Sequence, residues 1–154
     1  MAVESAGLVL HRVREGKTEV LLVHPGGPFW KRRDDGVWSI PKGEIEPGET
    51  PLDVARREFE EELGMPAPDG EVAPLGSIRQ AGGKVVHAWV ARGDIDVSRV
   101  SSNTFAIEWP PRSGKTQEFP EVDRAAWFDL PTARRMILPA QSAFLDRLQD
   151  RLSG

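Results

Sequence analysis

The chain contains neither cysteine nor tyrosine in its 154 residues. Without cysteine no disulfide can form, so redox compartment is unconstrained and stability must come from an apolar core, which a chain of this length can build. No apolar stretch approaches the roughly twenty residues that a membrane-spanning helix needs. Met1-Ala2-Val3-Glu4-Ser5 has neither the basic start nor the long apolar segment of a secretory signal, and the expected compartment is the cytoplasm. A formal net charge of −4 offers no basic footprint for nucleic acid, and neither nucleic acid nor membrane is expected as a partner. No internal repeat and no break in composition divides the chain, so residues 1–154 read as a single domain. One tempting motif is also excluded. Ser113-Gly114-Lys115-Thr116 looks like the end of a phosphate-binding P-loop, but the glycine required five positions before Gly114 is replaced by Trp109.

What is present is concentrated in residues 43–65. Thr50 is a good N-cap, Pro51 suits the first helical position, and Asp53 stands three residues past the cap as in a capping box. Gly64 followed by Pro66 ends the helix, because glycine takes the left-handed cap conformation and proline cannot extend the ladder. Leu52, Ala55, Phe59 and Leu63 fall on one stripe that should face a core. Glu58, Glu61 and Glu62, spaced i, i+3 and i+4, neighbour one another on a different face. Acidic runs on helices are usually solvated faces, and Glu60 fits that description. Three adjacent carboxylates nevertheless repel one another unless a cation, an arginine or solvent relieves them.

The spacing as a whole goes further. Gly43, Glu49, Arg57, Glu58, Glu61, Glu62 and Gly64, with apolar Phe59 and Met65, form one pattern. At roughly one residue in ten for each type, chance would repeat it in about one chain per million of this length. It resembles the signature of the Nudix hydrolase family at every position. The resemblance implies that Glu58, Glu61 and Glu62 supply metal ligands, one of them often serving as general base, and that the backbone carbonyl of Lys42 completes the coordination. It implies that Arg57 and Glu49 pair to brace the loop against the helix. Glu121, in the loop before the strand containing Trp127, matches the family's extra acidic ligand, with Glu118 its nearest competitor. The expected cofactor is Mg²⁺, with Mn²⁺ as a substitute. A hard cation of this kind takes oxygen ligands and keeps several waters, so carboxylates plus phosphate oxygens suit it. Bound at a diphosphate, it neutralises charge and lowers the pKa of an attacking water, whose proton a nearby carboxylate can take.

The rest reads as scaffold. Residues 5–13 and 18–24 flank Arg14-Glu15-Gly16-Lys17 as a hairpin. Trp38-Ser39-Ile40 is a short extended segment, with Trp38 expected in the core, leading into a Pro41-Lys42-Gly43 loop. Residues 72–80 and 84–92 surround Ala81-Gly82-Gly83 as a second hairpin candidate, and 123–128 is a further strand. The segment after Pro131 is helical, broken at Leu138-Pro139, with Phe144, Leu145, Leu148 and Leu152 on one face. Strands with helices on both sides give an α/β fold, an α/β/α sandwich around a mixed β-sheet, and the Nudix fold is of this kind.

Two long segments, 24–36 and 101–120, read as loops, and loops this long are usually functional or mobile. Lys31, Arg32 and Arg33 could meet phosphates and Trp30 could stack on a base. Lys42 resembles the loop lysine of family members acting on nucleoside polyphosphates. Arg79 and Gln80, with Lys84 and His87 opposite, are further candidates, although His87 and His24 read more simply as structural histidines. The substrate-binding set is therefore Lys42, Trp30, Arg32 and Arg79, and the catalytic set Glu58, Glu61, Glu62 and Arg57. The chain lacks the downstream tyrosine typical of diadenosine tetraphosphate hydrolases, the proline of ADP-ribose pyrophosphatases near Ala81, and a well-placed tryptophan-proline element of NADH pyrophosphatases. The expected activity is hydrolysis of a diphosphate linkage in a nucleoside diphosphate derivative, foremost a nucleoside tri- or polyphosphate including dinucleoside polyphosphates, by a monomer or homodimer. The alternatives are an ADP-ribose or nucleotide-sugar pyrophosphatase and a nucleotide-sensing module without turnover.

Overall fold

The computed structural model describes residues 3–153. Continuous apolar runs in β1 (Glu4–Arg14) and β2 (Lys17–Pro25), buried on both faces, make an antiparallel hairpin in which His11 faces Val20 and Arg14 faces Lys17. Its turn is built on Glu15 and Gly16, both at positive φ. A second hairpin joins β4 (Val72–Arg79) to β5 (Val85–Arg92), and β5 runs parallel to β1 from Glu4 to His11. With β8 (Val122–Asp129) antiparallel to β2, the strand order is β4-β5-β1-β2-β8. The short β3 (Lys42–Glu44) pairs with the first residues of β1, placing Lys42 opposite Gly7 and Gly43 opposite Ala6.

Period-two alternation divides the sheet residues between two cores. Ala6, Leu8, Leu10, Leu21 and Val23 pack under α1 (Pro51–Leu63) against Val54, Ala55, Phe59 and Leu63. Val9, Val20, Leu22, Val86, Ala88 and Val90 face α2 (Leu130–Met136) and α3 (Ser142–Ser153), meeting Ala133, Phe144, Leu145 and Leu148. Helices thus cover both faces of a mixed sheet, the expected α/β/α sandwich. Fully burying a side chain such as Phe59 or Phe144, each 0% exposed, stabilises by about 3 kcal/mol. No helix among the described residues is long and apolar enough to cross a membrane.

Several local expectations need correction. Residues 42–44 form a strand rather than a loop, while Trp38 and Ser39 make only isolated bridges, to Ile137 and Val23. Three residues are too few for alternation to show. The segment 101–120 is not a loop but carries β6 (Thr104–Glu108) and β7 (Thr116–Pro120), a two-stranded sheet separate from the main one. Thr50 does not cap the helix backbone; its hydroxyl donates to Asp53 at 2.6 Å. Leu52 is only half-buried and Val54 takes its place in the core. Leu152 is 46% exposed, so the apolar stripe of α3 stops at Leu148, one turn before the helix does. Trp38 is in the core as expected, its ring edge-on to His24 and Phe128.

Candidate active site

The signature residues converge because β3 lies beside the carboxylate face of α1. A Cβ on Gly43 would fall 2.0 Å from the Glu58 carboxyl carbon, so glycine here leaves room for this placement of the Glu58 carboxylate against the strand. The backbone N–H of Lys42 donates to Glu62 Oε2 at 3.1 Å. The Arg57 guanidinium donates to Glu49 at 3.1 Å, to Glu58 at 3.0 Å and to both oxygens of Glu61 at 3.3 Å. Glu49 also accepts from the Glu46 N–H at 2.9 Å, tying the loop between β3 and α1 to the arginine. The helix closes on Gly64, left-handed at φ 74°, whose N–H donates to the Glu60 carbonyl. Glu60 itself is exposed.

Glu121 joins this group from the other side. It is the single residue between β7 and β8, its N–H donates to the Asn103 carbonyl at 2.8 Å, and its carbonyl accepts from Gly26 at 2.9 Å. Asn103 in turn donates to the Glu61 carbonyl at 3.0 Å, so backbone bonds run from α1 to Glu121. Glu118, its competitor in the sequence, is exposed on β7.

The electrostatics bear the mark of crowding. Burial pushes Glu62 up to about 8, against the Lys42 N–H bond, with Glu58 and Glu121 adding repulsion. Glu58 is raised by burial and by Glu61, against the pull of Arg57. Glu121 is raised by burial and by Glu61. Four carboxylates therefore share one field. Their oxygens fit a hard divalent cation by chemistry, and a cation would relieve the repulsion that Arg57 relieves in part. As the side chains stand, no three His, Asp or Glu among the described residues form a metal-holding group; Glu58 and Glu61 turn to Arg57 and Glu62 to Lys42.

Beside the carboxylates lies a cleft of about 260 Å³, lined by Pro25, Trp30, Ser39, Lys42, Glu62 and Glu121 among others. The Lys42 ammonium is pushed down to about 8 by burial and by the neighbouring Lys84. A Cβ on Gly7 would lie 2.8 Å from Lys42 Cβ and 2.5 Å from the Pro41 carbonyl, so the Pro41-Lys42 segment comes this close to β1 only opposite a glycine. Trp30 stands at the rim, 37% exposed, with the Arg33 guanidinium over its ring at 5.3 Å. The structure thus brings Lys42, Trp30, Glu62 and Glu121 to one cleft. It does not bring Arg32 or Arg79 there: Arg32 is exposed and absent from the cleft wall, and Arg79 lies on the β4 edge, donating to the Gly83 carbonyl at 3.4 Å. A roomier depression of about 340 Å³ lies between Arg56, Arg57 and Glu60 of the helix and residues 66–70 that follow it.

Both histidines singled out in the sequence have structural partners. His24, fully buried, meets Asp123 at 2.8 Å and the Arg33 carbonyl at 2.6 Å, and His87 meets Glu4 at 2.8 Å. One residue had no signal in the sequence at all. Gln141, fully buried, accepts from the Ile40 N–H at 3.0 Å and donates to Ser39 Oγ at 3.0 Å and Gln80 Oε1 at 2.8 Å. It fastens the approach to Pro41-Lys42-Gly43 onto the end of β4. Gly7 did leave a signal, because an isolated glycine inside an apolar strand marks a close backbone approach.

Comparison with known proteins places these features in context. A family model described as NUDIX domain matches residues 4–148. The bis(5′-nucleosyl)-tetraphosphatase (asymmetrical) of Rattus norvegicus is 32% identical, over 71% of this chain and 79% of its own. An RNA pyrophosphohydrolase of Francisella tularensis subsp. mediasiatica is 43% identical over 54 residues, 34% of this chain and 35% of its own length. An octanoyltransferase of Myxococcus xanthus is 31% identical over 98 residues, 64% of this chain, which spans only 24% of that protein. Among solved structures, a binary complex of the Caenorhabditis elegans Ap4A hydrolase superposes with a TM-score of 0.68 at 23% identity, covering 97% of this chain and 98% of the other. At that identity the likeness is one of fold.

Proposed function

The chain belongs to the NUDIX family, and from that premise we propose that residues 1–154 act as one catalytic domain that hydrolyses a diphosphate linkage in a nucleoside diphosphate derivative. The observation that carries the reading is the gathering of Glu58, Glu61, Glu62 and Glu121, with Glu58 against Gly43 and Glu62 on the Lys42 N–H, at the edge of a cleft with Lys42 in its wall and Trp30 at its rim. The four carboxylates, with the Lys42 carbonyl, would hold Mg²⁺, or Mn²⁺ in its place. When bound, the metal neutralises the diphosphate and acidifies the attacking water. Arg57 fixes the carboxylate rotamers through Glu49, Glu58 and Glu61. A carboxylate of the cluster takes the proton of the attacking water as its oxygen adds to phosphorus and the bridging P–O bond breaks. Lys42 meets a phosphate oxygen, and its ammonium recovers its full charge against the anion that buries it. Trp30 stacks on the base.

The substrate class proposed is a nucleoside tri- or polyphosphate, dinucleoside polyphosphates included. The rat relative is named for a dinucleoside tetraphosphate and the Francisella relative for RNA pyrophosphohydrolysis, and both names support a nucleotide polyphosphate. A module that senses nucleotides without turnover is disfavoured because every signature carboxylate is present. The deciding experiment is a phosphate-release screen of nucleoside triphosphates, dinucleoside polyphosphates, ADP-ribose and NADH with Mg²⁺ and Mn²⁺. Turnover confined to the first two classes is expected; metal-independent turnover, or turnover of ADP-ribose alone, would overturn the assignment.

A further inference from the structure

The β6–β7 hairpin has no part in the chemistry above, yet its surface is unusual for this chain. Phe105 and Ile107 of β6 and Phe119 of β7 point to one side, and Phe105 lies against Gly27 of the 24–36 segment. At the hairpin's tip Trp109 meets Phe29 edge-on, ring centroids 5.4 Å apart, while Phe29 remains 64% exposed. Phe29 directly precedes Trp30 of the cleft wall in the chain, which ties the aromatic pair to that wall through one peptide bond. The tip also holds Arg112 at φ 60°, a left-handed conformation that a non-glycine side chain adopts at an energetic cost, with its N–H fixed on the Glu108 carboxylate at 3.0 Å. The Lys115 carbonyl accepts from Trp109 at 2.9 Å, which keeps Lys115 beside the tryptophan.

Charge is distributed in the same sense. Among the described residues, the side chains of Lys31, Arg32, Arg33, Arg112 and Lys115 make no ion pair, whereas the neighbouring acids are already used: Asp34 pairs with Arg124 and Asp35 with Arg135. A chain of formal net charge −4 thus keeps five uncompensated cations on two adjoining segments, interleaved with exposed aromatic faces. Cations that track phosphates and rings that stack on bases are the two elements of a nucleotide-binding strip. Simple loop anchoring would need Phe29 covered.

Resting on the nucleotide reading above, we propose that Phe29 and Trp109, with Lys31, Arg112 and Lys115, form a second subsite that receives the far half of a two-nucleoside substrate: a second base on the aromatic pair and the intervening phosphates against the cations. Its preferred ligand is therefore a dinucleoside polyphosphate rather than a mononucleotide. The test compares the Michaelis constants for a dinucleoside tetraphosphate and a nucleoside triphosphate in wild type, Trp109→Ala and the Arg112→Ser/Lys115→Ser pair. Each variant should raise the ratio of the two constants about tenfold, consistent with the loss of one stacked base or its phosphate contacts; an equal shift for both substrates, or none, overturns the subsite. The serine pair lies on an exposed tip and keeps the test valid if Trp109→Ala unfolds. A second readout does not need turnover: a non-hydrolysable dinucleoside tetraphosphate analogue is titrated against tryptophan fluorescence. Affinity should fall about tenfold in Trp109→Ala and be kept in Trp109→Phe; equal affinity in wild type and Trp109→Ala overturns the subsite. An enzyme that turns over neither substrate but shows this binding pattern retains the subsite and loses only the hydrolytic reading.

Discussion

The Glu58 carboxylate fills the space that a side chain at Gly43 would take, since a Cβ on the glycine would stand 2.3 Å from each of its oxygens. The loop-to-helix joint and the carboxylate cluster are therefore one feature. Gly43→Ala must move Glu58 or pull β3 off β1, and a displacement of about 1 Å at a reacting centre lowers turnover by about a hundredfold. The α1 core contacts do not involve this position, so the melting temperature should fall only a few degrees. Metal-dependent phosphate release and a thermal melt check both; wild-type turnover would remove Glu58 from the cluster.

Glu62→Gln separates charge from shape. Glu62 is 8% exposed and accepts from the Lys42 N–H, and the glutamine oxygen can take over that bond. Turnover should drop about 10²- to 10³-fold, in the range of other lost acid–base or charge-stabilising groups. Stability at pH 7 should hold or rise, because a carboxyl whose pKa burial raises from 4.5 to about 8 is disfavoured by folding at any pH above its ordinary value, and the amide carries no such cost. A fall in both would mean that Glu62 is a structural residue.

How much of this could be read from the sequence depended on how local the information was. The thirteen residues of α1 and its paired carboxylates follow from caps and helical spacing alone, and the flanking hairpins follow from apolar runs around glycine turns. The β6–β7 hairpin was legible in part, since Thr104-Phe105-Ala106-Ile107-Glu108 alternates in burial, but the polar and proline-rich tip masked it. Gln141 was not legible. Its role depends on three partners, Ile40, Ser39 and Gln80, drawn from positions about 60 and 100 residues away, and no local pattern encodes such a bond. Arg79 fails for the complementary reason: residue type suggested phosphate, and position in the sheet put it on the far edge strand.

Trp30→Ala tests base stacking at the cleft rim. The side chain is 37% exposed and lines the cleft with Lys42 and Glu121. If a base stacks there, the Michaelis constant for the preferred nucleotide rises about tenfold while kcat changes little, since about 1–3 kcal/mol is carried by such a stack. An unchanged constant would return Trp30 to holding Arg33 in the loop.

Gln141→Leu keeps the volume and removes the bonds. The Ile40 N–H, within the buried approach to β3, loses its acceptor, and an unsatisfied buried donor costs about 1–3 kcal/mol. With Ser39 and Gln80 also released, a loss of about 3 kcal/mol in urea unfolding is expected, with a lower kcat because Lys42 and Gly43 are no longer held from behind. Equal stability would show that water replaces the amide.

His11 gives the fold an acid limit independent of the active site. It is 7% exposed on β1, its Nδ1 has no hydrogen-bond partner, and its pKa is lowered by burial and by the charges of Arg92 and Arg151. Above its ordinary value of 6.5 the ring is neutral in the folded and unfolded chains and costs nothing. Below that value the unfolded chain binds a proton that the folded chain refuses, so stability falls with falling pH until the lowered folded value is passed. The slope approaches about 1.4 kcal/mol per pH unit for one such group. Urea unfolding at pH 7.5 and 5.5 should show this loss in wild type and a smaller one, by up to about 1 kcal/mol, in His11→Leu, where no ring remains to be protonated. If the two proteins lose the same stability between these pH values, the acid limit lies with the carboxylates and not with His11.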